Sequence, residues 1–128
     1  MSKKKKILLV DDSAAVLQLE LVMLEGHYEI LTAQSGTEGL QIAINQVPDL
    51  ILLDVMLPKL DGFELCRILR GIEVTKAIPI IMVTTLGDQK SHETAFAAGC
   101  NDYISKPIDR TQLLAKIDRH LEPDAARG

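Results

Sequence analysis

Residues 50–58 read LILLDVMLP. Four aliphatic side chains run straight into an aspartate, and the chain then leaves through Met56, Leu57 and Pro58. A short continuous apolar run bounded by turn residues reads as a strand covered on both faces. The carboxylate is the anomaly, because a charge in a dry interior is costly unless something pairs with it. Asp54 therefore either caps a strand harmlessly or stands where a strand opens into a polar site.

Outward from this run the chain alternates between two periods. ILLV at 7–10 resembles the 50–53 stretch. From Ser13 the spacing becomes helical: Val16, Leu17, Leu21 and Leu24 recur, Ser13 can cap the start and Gly26 can stop the helix. YEILTA at 28–33 reads as a strand, and 37–47 as a helix with Leu40, Ile44 and Val47 on one side. Pro48 and Asp49 mark the turn into 50–53. Asp61 and Glu64 have capping-box spacing before a helix ending near Arg70. IPIIMV at 78–83 is a fourth strand, with Pro79 near its start, where a missing N–H is tolerable. A helix from Asp88 to Ala98 is closed by Gly99, and DYI at 102–104 is a fifth strand. Leu113, Leu114, Ile117 and Leu121 stripe a final helix.

Five successive strand–helix units with aliphatic strands predict one doubly wound α/β domain, a five-stranded parallel sheet with helices on both faces. Residues 1–122 are assigned to that domain and 123–128 to a polar tail. The 128-residue length suits a single domain. With 47% apolar but only 3% aromatic residues, aliphatic side chains must fill the core. A net charge of −4 argues against direct nucleic-acid binding by this domain. Cys66 and Cys100 lie among small or apolar neighbours and read as free buried thiols of a reducing compartment. No apolar run approaches the ~20 residues of a membrane span, and nothing resembles a signal peptide. The expected location is cytoplasmic, without membrane association. The lysines at 3–6 read as a solubilising end.

In an open α/β sheet, ligands sit beyond the C-terminal ends of the strands. The residues there are Asp11 and Asp12, Asp54, Thr84 and Thr85, and Lys106 followed by Pro107. The second strand ends in Ala33 and Gln34, which offer less. Singly, each has an ordinary reading as a turn, a cap, β-branched filler or a surface lysine. Together they place three carboxylates, a hydroxyl and an ammonium on one edge. Crowded carboxylates call for a hard divalent cation with oxygen ligands, Mg2+ by preference. One carboxylate can then serve as a nucleophile toward phosphorus, while Lys106 and Thr84 hold the other phosphoryl oxygens. With neither a GxxxxGK[ST] loop nor a GxGxxG fingerprint, the phosphoryl donor is expected to be another molecule.

LLVDDS at 8–13, LLDVMLPKLDG at 52–62, VTT at 83–85 and YISKP at 103–107 resemble the receiver domain of bacterial two-component response regulators, over residues 5–121. The resemblance implies a flavodoxin-like sheet in the order 2-1-3-4-5. It implies that Asp54 is the phosphoacceptor, that Asp12 binds the metal directly and Asp11 mostly through water, and that the backbone carbonyl of Met56 completes the protein's share of the metal shell. The metal is Mg2+, or Mn2+ in its place. Thr84 follows the phosphoryl group, Lys106 contacts it across a peptide bond to Pro107 that is often cis in such domains, and Tyr103 is the aromatic switch. Met56 and Leu86 occupy the two positions that flank the path of the hydrolytic water. Their apolar side chains cannot orient it, so slow self-dephosphorylation is expected.

The function so implied is a phosphorylation-controlled signalling switch that catalyses its own phosphorylation and dephosphorylation. The expected donors are a histidine kinase, a histidine phosphotransfer protein or a small acyl phosphate. The expected output is a changed face of the fourth helix, fifth strand and fifth helix, read by a downstream protein or an attached output domain. The protein is expected as a monomer or a phosphorylation-dependent dimer, and as a complete single-domain regulator in preference to a section of a longer one. A receiver-like interaction module that never takes phosphate is the alternative, although that class commonly lacks the acceptor or the lysine. A flavin electron carrier is disfavoured by Asp11 and Asp12 where a cofactor phosphate would sit. A small phosphatase is disfavoured by Met56, where a second catalytic acid belongs.

Overall fold

The computed structural model describes residues 4–85 and 89–121. Five strands alternate with five helices: β1 (Lys6–Val10), α1 (Ala14–Leu24), β2 (Glu29–Ala33), α2 (Gly36–Gln46), β3 (Leu50–Asp54), α3 (Gly62–Arg70), β4 (Ile80–Thr84), α4 (Gln89–Ala98), β5 (Asp102–Ser105) and α5 (Arg110–Leu121). The strands form one parallel sheet in the order β2-β1-β3-β4-β5. The strand alternation divides the core. Leu8, Val10, Ile51, Leu53, Ile80 and Met82 face one side with Ala43 of α2, Leu65 and Leu69 of α3 and Ala95 of α4. Ile7, Leu9, Leu50, Leu52, Ile81 and Val83 face the other, against Leu17 and Leu24 of α1 and Leu113 and Ile117 of α5. Leu50 to Leu53 are all buried, and each such side chain contributes about 1.5–3 kcal/mol over the exposed state.

The expected elements are all present, but several edges and faces differ. β4 starts at Ile80, leaving Ile78 and Pro79 before it, and it includes Thr84 as its last residue. The α2 face is only partly the expected one: Leu40 packs against the core, but Ile44 and Val47 are exposed, and Gly36, Gly39 and Ala43 are buried. A Cβ on Gly39 would lie 3.0 Å from Val10 Cγ2, and one on Gly36 would collide with the Leu60 carbonyl oxygen. α2 approaches closely at Gly36, Gly39 and Ala43, while Leu40 and Ile42 pack on the core from its flanks. Ser35 caps this helix, its Oγ accepting the Glu38 N–H at 3.1 Å while Glu38 accepts the Gln34 N–H at 2.8 Å. On α1 the buried set is Leu17, Glu20 and Leu24, with Val16 and Leu21 only half-buried. Lys6 belongs to β1, its N–H donating to Asp49 at 2.8 Å, and is no loose tail. Asp88 and Leu86, with the tail at 123–128, lie outside the described residues. Both cysteines are free and buried.

Arg70, the last residue of α3, ties that helix to the far end of α4. Its Nε donates to the Gly99 carbonyl at 2.9 Å, Nη1 to those of Ile78 at 2.7 Å and Lys76 at 3.1 Å, and Nη2 to Asn101 Oδ1 at 2.8 Å. Gly99 has φ +110°, and a Cβ there would meet Arg70 Cγ at 2.8 Å, so the staple requires glycine at that turn. Charge-assisted bonds of this kind each carry about 1.5–3 kcal/mol, not additively. Arg70→Ala is expected to lower unfolding stability by about 2–4 kcal/mol, read from urea denaturation; a loss below ~0.5 kcal/mol would show that the staple carries no stability.

Candidate metal and phosphoacceptor site

The C-terminal edge of the sheet collects the polar ends of β1, β3 and β4. Asp11 Oδ1 accepts the Ser13 N–H at 2.9 Å, and Ser13 Oγ in turn accepts the Val16 N–H at 3.2 Å to start α1. Asp54 Oδ1 accepts the Met56 N–H at 3.1 Å. Each carboxylate thus has one oxygen fixed by the backbone two residues on, a local turn that short acidic side chains favour. The second oxygens converge on Lys106, whose Nζ lies 3.3 Å from Asp54 Oδ2 and 3.5 Å from Asp11 Oδ2. The Lys106 N–H donates to the Thr84 carbonyl at 2.9 Å, which anchors the lysine beside the end of β4. Its peptide bond to Pro107 is cis.

Asp11 and Asp54 are buried, whereas Asp12 is exposed at the mouth. One carboxylate oxygen from each can lie within 4.8 Å of the others. The mouth opens into a depression of about 470 Å3 bounded by Asp12, Met56, Pro58, Asp61 and Phe63. Met56 stands at this mouth with its side chain 60% exposed. Thr84 is buried at the end of β4, and Thr85 is exposed. Tyr103 is not in this cluster. It pairs in register with Met82 and packs on the sheet face covered by α2, α3 and α4.

Burial, followed by the charge of Asp11, pushes Asp54 up to about 6, against the opposing pull of the Met56 N–H and Lys106. Burial alone would lower the Lys106 ammonium, but Asp54 and Asp11 outweigh it and hold it above its ordinary value. One ammonium faces three carboxylates. Asp11 Oδ2 is buried without a well-formed hydrogen bond, its one ion-pair partner among the described residues being Lys106 at 3.5 Å. An orphaned buried anionic oxygen next to two further carboxylates is a donor set for a divalent cation, and these residues fit one.

Two residues of the site escaped the sequence reading. Gly62 opens α3 against the acceptor strand, where a Cβ would collide with the Asp54 carbonyl oxygen and lie 2.8 Å from Val55 Cα; its sequence signal is the glycine after the cap residue Asp61. Glu20 is 1% exposed on α1. Burial pushes its carboxyl up to about 8, with Asp11 and Asp54 reinforcing the shift and Lys106 opposing it. Its signal is an acid set within an apolar helical stripe.

The comparisons with known proteins agree with this geometry. Residues 7–118 match the family model described as the response regulator receiver domain. The chain is 41% identical over 113 residues to the DNA-binding dual master transcriptional regulator RpaA of Synechocystis, a match covering 88% of this chain and 47% of that protein. The chain thus spans about half the length of that curated relative. Among solved structures it resembles chemotaxis protein CheY4 of Vibrio cholerae, at 32% identity and a TM-score of 0.88, covering 93% of this chain and 100% of that one. It also resembles the receiver domain of sensor histidine kinase PA1611 from Pseudomonas aeruginosa PAO1, which has a magnesium ion coordinated in its active-site cleft. That match has 32% identity and a TM-score of 0.86, covering 93% of this chain and 98% of that one. The chain belongs to the response regulator receiver domain family. No helix among the described residues is long and apolar enough to cross a membrane.

Glu20 makes stability depend on pH. A free glutamate releases its proton near 4.5, but the folded chain keeps it to about 8. Folding is therefore coupled to proton retention, and the stability gained is full below about 4.5 and lost as pH rises through about 8. In chelator, the denaturation midpoint of the wild type should fall between pH 6 and pH 9 more steeply than that of Glu20→Gln. Glu20→Leu should be the more stable protein at pH 9 by about 2 kcal/mol. Parallel pH profiles for the three proteins would contradict this assignment.

Proposed function

We propose that the chain is a metal-dependent phosphoacceptor switch in which Asp54 is the residue modified. The observation that carries this reading is the approach of Asp11, Asp12 and Asp54 within 4.8 Å, with the Lys106 ammonium 3.3 Å from Asp54. Asp12, Asp11, Asp54 and the backbone carbonyl of Met56 would hold the cation, with Mg2+ favoured by the all-oxygen set and Mn2+ as a substitute. Such an ion supplies charge neutralisation to the incoming phosphoryl oxygens.

The chain's own groups account for the rest. The strand holds Asp54 rigid, and at neutral pH a carboxyl that titrates near 6 is mainly ionised and nucleophilic. An Asp54 oxygen forms the new O–P bond as the bond from phosphorus to the donor breaks. A donor imidazole nitrogen or acyl oxygen leaves with the electron pair. Lys106, already paired with the Asp54 carboxylate, follows the charge onto the phosphoryl oxygens. Thr84 closes on the same group through its hydroxyl, and Tyr103 moves into the space it leaves. Thr84 and Met82 lie on the same side of β4, and Met82 is the register partner of Tyr103, so hydroxyl and ring share one sheet face. The face formed by α4, β5 and α5 changes as a result.

The donor is a histidine kinase, a histidine phosphotransfer protein or a small acyl phosphate, and the output belongs to a downstream protein or an attached domain. This fits relatives that include a transcriptional regulator and the receiver domain of a sensor histidine kinase. Residues 1–122 form the receiver unit, the expected location is the cytoplasm, and the protein acts as a monomer or a phosphorylation-dependent dimer.

Incubation with Mg2+ and acetyl phosphate should add about 80 Da, the mass of one phosphoryl unit, by intact mass spectrometry. The gain should vanish in chelator and in Asp54→Asn. No gain by the wild type, or an undiminished gain by Asp54→Asn, would contradict the reading. Met56 presents an apolar side chain at the mouth, where it cannot orient a water molecule. Met56→Asn is therefore expected to shorten the lifetime of the phosphorylated form severalfold, timed by decay of the mass signal. An unchanged or longer lifetime would show that Met56 does not govern hydrolysis.

A further inference from the structure

Tyr103 has its ring enclosed by side chains from two helices. The His92 imidazole of α4 lies nearly flat on it, with centroids 3.7 Å apart and planes 21° from parallel. Phe96, one turn further along α4, meets the same ring edge-on at 5.9 Å, and the Lys116 ammonium of α5 sits 5.8 Å from its centroid. The Nε2 of His92 is buried without a hydrogen-bond partner. No hydrogen bond through that nitrogen holds the ring in place, and the stack on Tyr103 is a contact that does.

We infer that His92 is a positioning residue for the switch: its imidazole holds the Tyr103 ring in the place seen here and so sets how strongly binding at Asp54 is coupled to movement of Tyr103. This rests on the reading above, in which Tyr103 moves when Thr84 closes on the phosphoryl group. The stack exists while Tyr103 stays against α4 and is given up when the ring moves away. Aromatic pairs bias such an equilibrium by about two- to tenfold. By reciprocity, a ligand that favours the moved ring binds more weakly by the same factor.

The unpaired nitrogen gives the inference a second, opposite arm. Leaving Nε2 buried without a partner weakens the very arrangement that the stack favours. His92→Phe keeps a flat ring of similar size and removes that cost, so it should hold Tyr103 more firmly than histidine does. His92→Ala removes the stack and should release it. A residue that only filled space would change thermal stability in these variants and leave the coupling untouched.

The chain has two tyrosines and no tryptophan, so in a Tyr28→Phe background Tyr103 is the sole source of tyrosine emission. Beryllofluoride, a phosphoryl mimic, is titrated in Mg2+ into that background, into its His92→Ala derivative and into its His92→Phe derivative, with Tyr103 emission and ring NMR signals as readouts. The expected result is binding about two- to tenfold tighter in His92→Ala and weaker in His92→Phe, with the free-state Tyr103 signal displaced toward the bound one in His92→Ala only. Should His92→Ala fold poorly, His92→Phe against the background protein carries the test alone. Equal affinities, or any other order, would overturn the role of His92 and leave the phosphoacceptor reading intact. Failure of the background protein to bind beryllofluoride at all would overturn both.

Discussion

Three carboxylates face one ammonium at the end of a dry sheet, and the rest of the molecule is arranged around that imbalance. Asp11 and Asp54 cannot relax away from each other, because each has an oxygen fixed to a backbone N–H two residues on. Lys106 relieves only part of the repulsion, and burial first, with the Asp11 charge second, holds the Asp54 carboxyl up at about 6. The site is left needing positive charge, and a depression lined by Asp12 and Met56 opens beside it. Metal affinity and nucleophile placement come from the same crowding.

That crowding can persist because the strands beneath it are inert. β1, β3 and β4 are buried on both faces, so the energy that holds Asp54 in place comes from aliphatic packing well away from the chemistry. The sheet also separates two roles. Asp11 and Asp54 continue the alternation of Ile7 and Leu9 and of Leu50 and Leu52, toward the face that carries α1, α5 and the buried Glu20. Tyr103, His92 and Phe96 lie on the opposite face with α4. Thr84 stands where a strand end can report to both, since its carbonyl accepts the Lys106 N–H and its strand neighbour Met82 pairs in register with Tyr103.

What the sequence revealed follows from how each feature is encoded. The strands were legible because a strand buried on both faces must be a run of aliphatic residues, and LILL at 50–53 is such a run. The acidic edge was legible because strand ends fix where ligands bind. The α2 face was legible only through Leu40, because close packing selects Gly39 and Ala43 by smallness, which no hydrophobic pattern marks. Glu20 was hidden by its own helix: seven of its eight neighbours from Val16 to Leu24 are aliphatic or methionine, so the stripe reads as core whichever residue is buried. The His92 stack depends on α4 and β5 meeting across eleven residues, and the spacing of His92 and Tyr103 does not predict ring contact.

The most direct test of the account is chemical mapping of the phosphorylated residue. An aspartyl phosphate is reduced by borohydride to homoserine, so treatment of the protein after incubation with Mg2+ and acetyl phosphate, followed by peptide sequencing, marks the acceptor. The account predicts homoserine at position 54, dependent on the metal and absent without the phosphoryl donor. Homoserine at position 11 or 12 instead, or the same yield at position 54 in chelator, would contradict it.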